Sequence, residues 1–244
     1  MSKNFWKTVN EVIRNSDVIL EVLDARTVDE TRNLELEIKV DKLGKKLIYV
    51  INKCDLIPKS EAEKIKKSLP HSVFVSATER LGTKKLREKI LASCSKTPVM
   101  VGMVGYPNTG KSSVTNVLKG KTVAPTSSQS GYTRGKQLIR ISRRIMLMDT
   151  PGVFPYREQD QSKHALTSAR STHDLKDPET AVLDLITSLK GKIEAYYDVE
   201  VNTDADETLD TIAKKTNNMK RGGVPDTIKT AKQIIHDWQT GKIV

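Results

Sequence analysis

The chain has 244 residues, of which 37% are hydrophobic and 29% are charged, and its formal net charge is +11. This composition supports a packed core and excludes a globally disordered chain. The stretch 89–148 contains ten basic residues and no acidic residue. A field of one sign over that stretch indicates a polyanionic partner, although a solvated basic face is the common alternative.

Two cysteines are too few for a disulfide framework or a zinc site. No apolar run approaches the roughly 20 residues that a membrane-spanning helix needs. Polar residues such as Glu11 and Arg14 occupy the positions where a secretory signal would be apolar. We therefore expect a soluble cytoplasmic protein that makes no membrane contact.

Strands and helices alternate along the first part of the chain, which predicts an α/β fold with a mostly parallel sheet covered on both faces. Ser60 and Glu63 predict a capping box at one helix start. Two strands, 136–142 and 143–149, are predicted to meet at a turn around Ser142 and Arg143. The earlier elements, in chain order, are helix 4–15, strand 17–24, helix 33–43, strand 45–52, helix 60–69, strand 71–77, helix 82–94, strand 98–105 and helix 111–119.

The last part of the chain has helical periodicity only, which predicts a small all-helical domain. We place the domains at residues 1–174 and 175–244. Gly222, Gly223 and Pro225 separate the last two helices. The apolar faces of three predicted helices are Val182, Leu185, Ile186, Leu189 and Ile193, then Leu209, Ile212 and Ala213, then Ile228, Ala231, Ile235 and Trp238.

The segment GYPNTGKS (105–112) fits the G-x-x-x-x-G-K-[ST] pattern and lies between a predicted buried strand and a predicted helix. Glycines let the backbone N–H groups face phosphate oxygens, and the helix N-terminus favours an anion. Lys111 is expected to reach the β- and γ-phosphates, and Ser112 to hold Mg²⁺. The predicted phosphate-binding residues in this loop are Asn108, Thr109, Gly110, Lys111, Ser112 and Ser113.

A second motif, DTPG (149–152), ends an apolar strand after the phosphate loop. Asp149 is placed to hold the Mg²⁺ through a water molecule, and the Gly152 N–H to contact the γ-phosphate. Thr133 lies between the two motifs, where its hydroxyl could complete the Mg²⁺ shell only when the γ-phosphate is present. Thr133 and Gly152 are therefore predicted phosphate-binding residues, and Thr133 is also a predicted switch.

The segment NKCD (52–55) follows a predicted buried strand. Asp55 can accept hydrogen bonds from N1 and N2 of guanine, which adenine cannot donate, so the pattern favours guanine over adenine. Asn52 is expected to contact N7, and the stem of Lys53 to lie on the base. After the next strand, the backbone N–H groups of Ser76, Ala77 and Thr78 are expected to meet guanine O6.

These motifs together are those of a GTPase, but their order is circularly permuted: the guanine motifs G4 and G5 precede G1, G2 and G3. Four segments carry a closer resemblance: SDVILEVLDART…TRN (16–33), GYPNTGKSSVTNVL (105–118), RRIMLMDTPGVFP (143–155) and RGGVPDTIKTAKQIIHDWQTGKI (221–243). In these segments the chain resembles the YlqF/YRG family of ribosome-assembly GTPases, most closely its nucleolar GTP-binding protein 2 branch. The expected fold is a circularly permuted P-loop domain with a six-stranded sheet in the order 5-6-4-1-2-3 of the chain.

Hydrolysis is expected to be slow, because Val153 stands where Ras-like enzymes place the glutamine that orients the attacking water. The predicted catalytic residues are Lys111, Thr133, Gly152 and Asn108. Asn108 either holds a potassium ion beside the phosphates, as the resemblance implies, or only satisfies the loop backbone. Asp24 and Arg26, at a strand end, either tune the site or form a structural ion pair.

The resemblance implies a monomer that assembles the large ribosomal subunit, contacts rRNA and ribosomal proteins, and is activated by the ribosomal particle. Cofactors would be Mg²⁺ and, under the first interpretation of Asn108, K⁺. The alternative is a nucleotide-gated scaffold that binds RNA or the ribosome with negligible hydrolysis, which Val153 also fits.

Overall fold

The computed structural model describes residues 3–120, 137–149 and 177–244. By its internal contacts the chain divides into two units, residues 1–158 and 159–244. The predicted boundary between residues 174 and 175 lies outside the described residues and stays a prediction. Within the described ranges, every helix is too short or too polar to span a bilayer.

The first unit alternates helices and strands as its sequence predicts. A short 3₁₀ turn, Cys54–Leu56, follows β2, and a four-residue helix that the sequence pattern did not indicate follows β1. The elements are α1 (Lys3–Asn15), β1 (Val18–Asp24), α2 (Val28–Thr31), α3 (Leu34–Lys42), β2 (Lys46–Asn52), α4 (Lys59–Ser68), β3 (Val73–Phe74), α5 (Thr83–Ser93), β4 (Val99–Val104), α6 (Lys111–Lys119), β5 (Gln137–Arg140) and β6 (Ile145–Asp149).

The six strands form one sheet in the order β3-β2-β1-β4-β6-β5, which confirms the predicted order. All neighbouring pairs are parallel except β5 and β6, which form an antiparallel hairpin. The carboxyl ends of the parallel strands therefore lie along one edge of the sheet. In such sheets this edge is where ligands bind.

Strand β1 is buried along its whole length, between β2 and β4. Its alternate side chains face opposite layers, since successive Cβ atoms in a strand point to opposite faces. Leu20 and Val22 belong to the cluster that includes residues of α5 and α6, whereas Ile19 packs with residues of α1 and α3. Each fully buried aliphatic side chain of this kind stabilises the fold by roughly 1.5–3 kcal/mol.

Two local predictions are wrong. Strand β3 spans two residues rather than seven, because the chain turns after Val75 and closes a loop through an antiparallel bridge between Ser76 and Leu81. The expected capping box also fails, because α4 begins one residue earlier, at Lys59. The carbonyl of Pro58 takes the first helical hydrogen bonds, and Ser60 lies inside the first turn.

The second unit is helical in its described part. Aspartate side chains cap three of its helices at their N-termini, where an acceptor satisfies an otherwise unpaired backbone N–H. Ile193 was predicted to continue the first helical face, but Lys190 and Gly191 adopt left-handed conformations that end that helix. Ile193 still reaches the same core from the next helix. The helices are α7 (Pro178–Leu189), α8 (Lys192–Tyr197), α9 (Ala205–Lys215) and α10 (Thr227–Thr240).

The segment DWQTGKI (237–243) closes the core of this unit. Trp238 and Ile243 are buried in it. The carboxylate of Asp237 accepts hydrogen bonds from the Tyr197 hydroxyl and from Lys242 Nζ, each at 2.8 Å. Gly241 takes the left-handed conformation that ends α10. This part of the sequence resemblance therefore has a structural role.

A carboxyl group, that of Glu21, is fully buried in the middle of β1. Its Oε1 accepts a hydrogen bond from the Asn33 backbone N–H at 2.8 Å, and its Oε2 has no partner among the described residues. Burial, with a smaller contribution from the charge of Glu37, raises the pKa of Glu21 to about 8 against the opposing effect of the Asn33 N–H. At neutral pH the folded protein therefore keeps this group largely protonated.

We predict that this unit loses stability as pH rises from about 4.5 to about 8, because the unfolded chain ionises Glu21 before the folded protein does. The loss is about 1.4 kcal/mol per pH unit across that window. Glu21→Gln should remove this slope in urea unfolding, whereas the exposed control Glu61→Gln should keep it. Parallel stability curves for the wild type and Glu21→Gln between pH 5 and 8 would contradict the prediction.

Candidate functional site

The loop between β4 and α6 has the backbone shape that phosphate binding requires. Three of its residues have positive φ: Gly105 at 141°, Asn108 at 59° and Gly110 at 92°. A Cβ atom on Gly105 would lie 2.5 Å from the Val22 carbonyl oxygen, so the loop starts in close contact with β1. The first turn of α6 directs N–H groups that have no intrahelical partner toward this loop, which makes it a ready anion site.

Lys111, the first residue of α6, is 7% exposed. Its Nζ donates hydrogen bonds to the carbonyl oxygens of Gly105 at 3.1 Å and Tyr106 at 2.6 Å. The ammonium group is therefore held over its own loop, where its charge faces the anion site. Thr109 is buried and its hydroxyl donates to the Tyr106 carbonyl, while Ser112 and Ser113 are half-buried on the first turn.

The NKCD motif (52–55) begins at the last residue of β2 and continues into the loop that follows. Lys53 adopts a left-handed conformation, with φ 60°, and the 3₁₀ turn Cys54–Leu56 follows it. Asp55, the middle residue of this turn, is exposed to solvent. The Cys54 N–H donates to the Val75 carbonyl, which ties the loop to the chain that leaves β3.

A direct hydrogen bond joins these two loops. Asn52 is 2% exposed, and its Nδ2 donates to the Thr109 carbonyl oxygen at 2.8 Å. The contact needs the glycine beside it, because a Cβ on Gly110 would lie 2.1 Å from Asn52 Nδ2. The loop that carries Asp55 and the loop that leads to Lys111 are therefore in direct contact. Contact of Asn52 with guanine N7 stays a prediction.

The third loop, after β3, is built around Ser76. This residue is fully buried, and its Oγ accepts a hydrogen bond from the Glu79 backbone N–H at 3.0 Å. Its backbone N–H donates to the Leu81 carbonyl and is therefore already used, contrary to its expected contact with a base. Ala77 is half-buried and Thr78 is exposed, so their backbone is the part of this loop that a ligand can approach.

Two predicted residues, Thr133 and Gly152, lie outside the described residues, as does the side chain of Asp149. The backbone of Asp149 is described, and it pairs in register with Met103. The carboxyl end of β6 therefore lies beside the strand that leads into the phosphate loop, which begins two residues after Met103. The hydroxyl of Ser112 and a carboxylate at position 149 are oxygen donors of the type that Mg²⁺ prefers, so the residues present fit that ion.

A buried network of charged side chains lies next to the site, and the sequence predicts only part of it. The carboxylate of Asp24, at the end of β1, is held by Arg26 and also by Lys53 Nζ at 2.8 Å. Burial alone would raise the pKa of Asp24, but the charges of Lys53 and Arg26 hold it well below its usual range. The sequence suggested the pair of Asp24 and Arg26. The contact with Lys53 follows from the strand order. Asp24 lies opposite Asn52 in register, so the next residue, Lys53, lies beside the same strand end.

Two family models match the chain. One is described as RsgA GTPase and matches residues 8–157, and the other is described as 50S ribosome-binding GTPase and matches residues 100–221. The first match covers more than half of the chain and includes each of the predicted nucleotide-binding loops.

Similar proteins are found in archaea, yeast and bacteria. The GTP-binding protein MJ1464 of Methanocaldococcus jannaschii is 43% identical, over 97% of this chain and 65% of that protein. Nucleolar GTP-binding protein 2 of Saccharomyces cerevisiae is 34% identical, over 99% of this chain and 52% of that protein. The crystal structure of GNP-bound YlqF from T. maritima has the same fold, with a TM-score of 0.68 at 21% identity over 98% of this chain and 95% of that one. This chain thus spans about half to two thirds of the length of the two relatives.

We predict that Asn52→Ala loosens the phosphate loop, because the buried Thr109 carbonyl loses its partner at a cost of about 1–3 kcal/mol. Hydrogen exchange should become faster at residues 105–110 in the variant. Asn33→Ala is a matched control, since Asn33 is also buried but caps α3. Its faster exchange should appear at the start of α3 instead. Unchanged exchange in the phosphate loop of Asn52→Ala would show that the contact does not hold it.

Proposed function

This chain belongs to the circularly permuted GTPases, and from that membership we propose that it binds GTP and hydrolyses it to GDP and phosphate. The observation that supports the proposal most is the hydrogen bond from Asn52 to Thr109, because it joins the loop at residues 52–55 to the loop at residues 105–110. A nucleotide bound there spans from Asp55 to Lys111. The sheet edge involved is the one where α/β folds bind ligands.

The proposed base pocket uses the loops that follow β2 and β3. The exposed carboxylate of Asp55 accepts hydrogen bonds from guanine N1 and N2, and the backbone N–H groups of Ala77 and Thr78 donate to O6. The carbon stem of Lys53 covers one face of the base while its ammonium group remains on Asp24. A base without donors at N1 and N2 leaves Asp55 unpaired, which disfavours adenine.

The proposed phosphate site uses the loop 105–110 and the start of α6. Lys111 exchanges its contacts with the Gly105 and Tyr106 carbonyl oxygens for phosphate oxygens, and backbone N–H groups from Thr109 to Ser113 donate to the same group. Ser112 and Asp149 would hold Mg²⁺, which supplies positive charge to the β- and γ-phosphates. Thr133 and Gly152 complete the proposed contacts to the γ-phosphate.

Hydrolysis is proposed to be slow without an activator. Val153 follows the DTPG motif and cannot hydrogen-bond an attacking water. The activator we propose is the large ribosomal subunit or its precursor, which the family description "50S ribosome-binding GTPase" supports. Val153 equally favours the second candidate function, a scaffold that binds RNA or the ribosome under nucleotide control with negligible hydrolysis.

The proposed RNA-contacting surface includes the β5–β6 hairpin. Arg140, Arg143 and Arg144 are exposed there, and none of the ion pairs found among the described residues involves them. Unpaired surface arginines suit contacts with rRNA phosphates. A monomeric state, a cytoplasmic location and contacts with ribosomal proteins belong to the same proposal.

Asp55→Asn should change the base preference from guanine to xanthine. An amide can donate a hydrogen bond to the C2 oxygen of xanthine at the place where the carboxylate accepted one from guanine. GTP affinity should fall about 100-fold, the loss of hydrogen bonds to a charged acceptor. XTP affinity should rise above that of GTP, as measured by competition with a fluorescent nucleotide. The exposed control Asp41→Asn should keep the wild-type preference. A variant that still prefers GTP would exclude Asp55 as the base-recognising group.

Multiple-turnover phosphate release separates the two candidate functions. We expect a low rate for the protein alone and a clear increase when large ribosomal subunits, but not small subunits, are added. The triple charge reversal of Arg140, Arg143 and Arg144 to Glu should reduce that increase, because it repels rRNA phosphates. Lys42→Glu with Lys46→Glu, also on exposed positions, is the control. Binding to the subunit without any increase in rate would favour the scaffold.

Asn108 gives a further test of the hydrolysis chemistry. We propose that it helps to hold a potassium ion beside the phosphates, where the ion would replace a missing arginine finger. Phosphate release should then be faster in potassium than in sodium buffer at equal ionic strength, and Asn108→Ala should abolish the difference. Equal rates of the wild-type protein in the two buffers would leave Asn108 with a role in the loop backbone alone.

A further inference from the structure

Lys53 lies near two carboxylates, those of Asp24 and Asp55, which differ in burial and in proposed role. Its ammonium group contacts Asp24 Oδ2 at 2.8 Å, and the negative charge of Asp55 also acts on it. Asp24 is buried, with its side chain 3% exposed, whereas Asp55 is exposed to solvent. A lysine that left Asp24 would therefore have an accessible carboxylate two residues away along the same loop.

The Asp24 carboxylate is built to remain an anion. Its Oδ1 accepts from the backbone N–H and the Nε of Arg26, each at 3.1 Å, and its Oδ2 accepts from Arg26 Nη2 at 2.9 Å. This bidentate contact with Arg26 fixes the carboxylate in one orientation. Lys53 Nζ contacts Oδ2 of the same carboxylate. The side chain of Arg26 is itself 2% exposed, so the three groups form a buried cluster rather than a surface ion pair.

We propose that Asp24 is a positioning residue for base recognition: it holds the Lys53 ammonium group and so keeps Asp55 open to accept hydrogen bonds from guanine. The inference rests on the proposed role of Asp55. An ion pair between Lys53 and Asp55 would have to break before the base could bind, and the guanine donors at N1 and N2 would compete with it. Asp24 removes that competition through its own contact with Lys53 Nζ at 2.8 Å.

The test compares the affinities for GDP and IDP, because the hypoxanthine base of IDP lacks the 2-amino group of guanine. The ratio of the two affinities therefore measures the second hydrogen bond to Asp55. Asp24→Asn alone leaves the buried Arg26 without its anion and threatens folding. The informative variant is therefore Asp24→Asn with Arg26→Gln, and Arg26→Gln alone is its control because Asp24 and Lys53 remain paired there. Asp17→Asn, just before the start of the same strand β1, removes the partner of Lys96 and controls for loss of a paired aspartate. Thermal unfolding and circular dichroism establish that each variant is folded.

We expect the wild-type protein and both controls to prefer GDP over IDP by about tenfold or more, the contribution of one hydrogen bond to a charged acceptor. The double variant should lose most of this preference, with its GDP affinity falling about fivefold to tenfold more than its IDP affinity. Adding Lys53→Met to the double variant should restore the ratio, because methionine keeps an apolar stem and cannot pair with Asp55. A general structural loss would lower both affinities together and would not be reversed by this third substitution.

An unchanged GDP-to-IDP ratio in the folded double variant would overturn the inference, and so would a lowered ratio that Lys53→Met fails to restore. If the double variant does not fold, the same comparison is made with Asp24→Glu, which displaces the carboxylate and should lower the ratio, again with restoration by Lys53→Met. A wild-type protein that binds GDP and IDP equally would overturn the proposed role of Asp55 and this inference with it. That result is distinct from a failure confined to the variants.

Discussion

The site depends on one hydrogen bond between two loops that are 57 residues apart in the chain, from Asn52 to the Thr109 carbonyl. Strands β2 and β4 lie on either side of β1, so their ends are about 10 Å apart. The phosphate loop must therefore lean across the end of β1 to meet Asn52. Gly105, packed against Val22, and Gly110, packed against Asn52, are the positions where a side chain would prevent this approach. Since the contact depends on strand order in space, the permuted order of the motifs along the chain leaves it intact.

Two buried carboxyl groups on β1 show how neighbours decide the charge of a group at equal burial. Among the described residues Glu21 accepts from one backbone N–H and forms no ion pair, and burial raises its pKa to about 8. Asp24, three residues later, is surrounded by Arg26 and Lys53, and these cations hold its pKa well below its usual range. Desolvation acts on both groups, but only Asp24 has partners that outweigh it. The neutral group lies in the middle of the strand, and the charged group lies at the end that meets the nucleotide loops.

The fold class could be predicted from the sequence, because apolar strands such as 98–105 alternate with amphipathic helices. The strand order followed from the resemblance of the motifs to those of a permuted GTPase. The positions of Lys111 and Asp55 followed from the same motifs. Short-range backbone geometry was harder to foresee. The turn after Val75, which shortens β3, depends on a bridge between Ser76 and Leu81 that has no periodic signal. The pairing of Lys53 with Asp24 depends on the register of β1 and β2, which a single sequence does not state.

We propose that Asp55 and Lys111 bind opposite ends of one nucleotide, and a combination of substitutions at the two positions can show whether they do. Asp55→Asn creates a preference for xanthine that reports on the base end alone. XTP affinity is then measured in Asp55→Asn with and without Lys111→Met. Loss of the lysine should weaken XTP binding at least about 100-fold, since the phosphate end of the same molecule loses its cation. XTP binding that is undiminished by Lys111→Met would instead show that the two residues belong to separate sites.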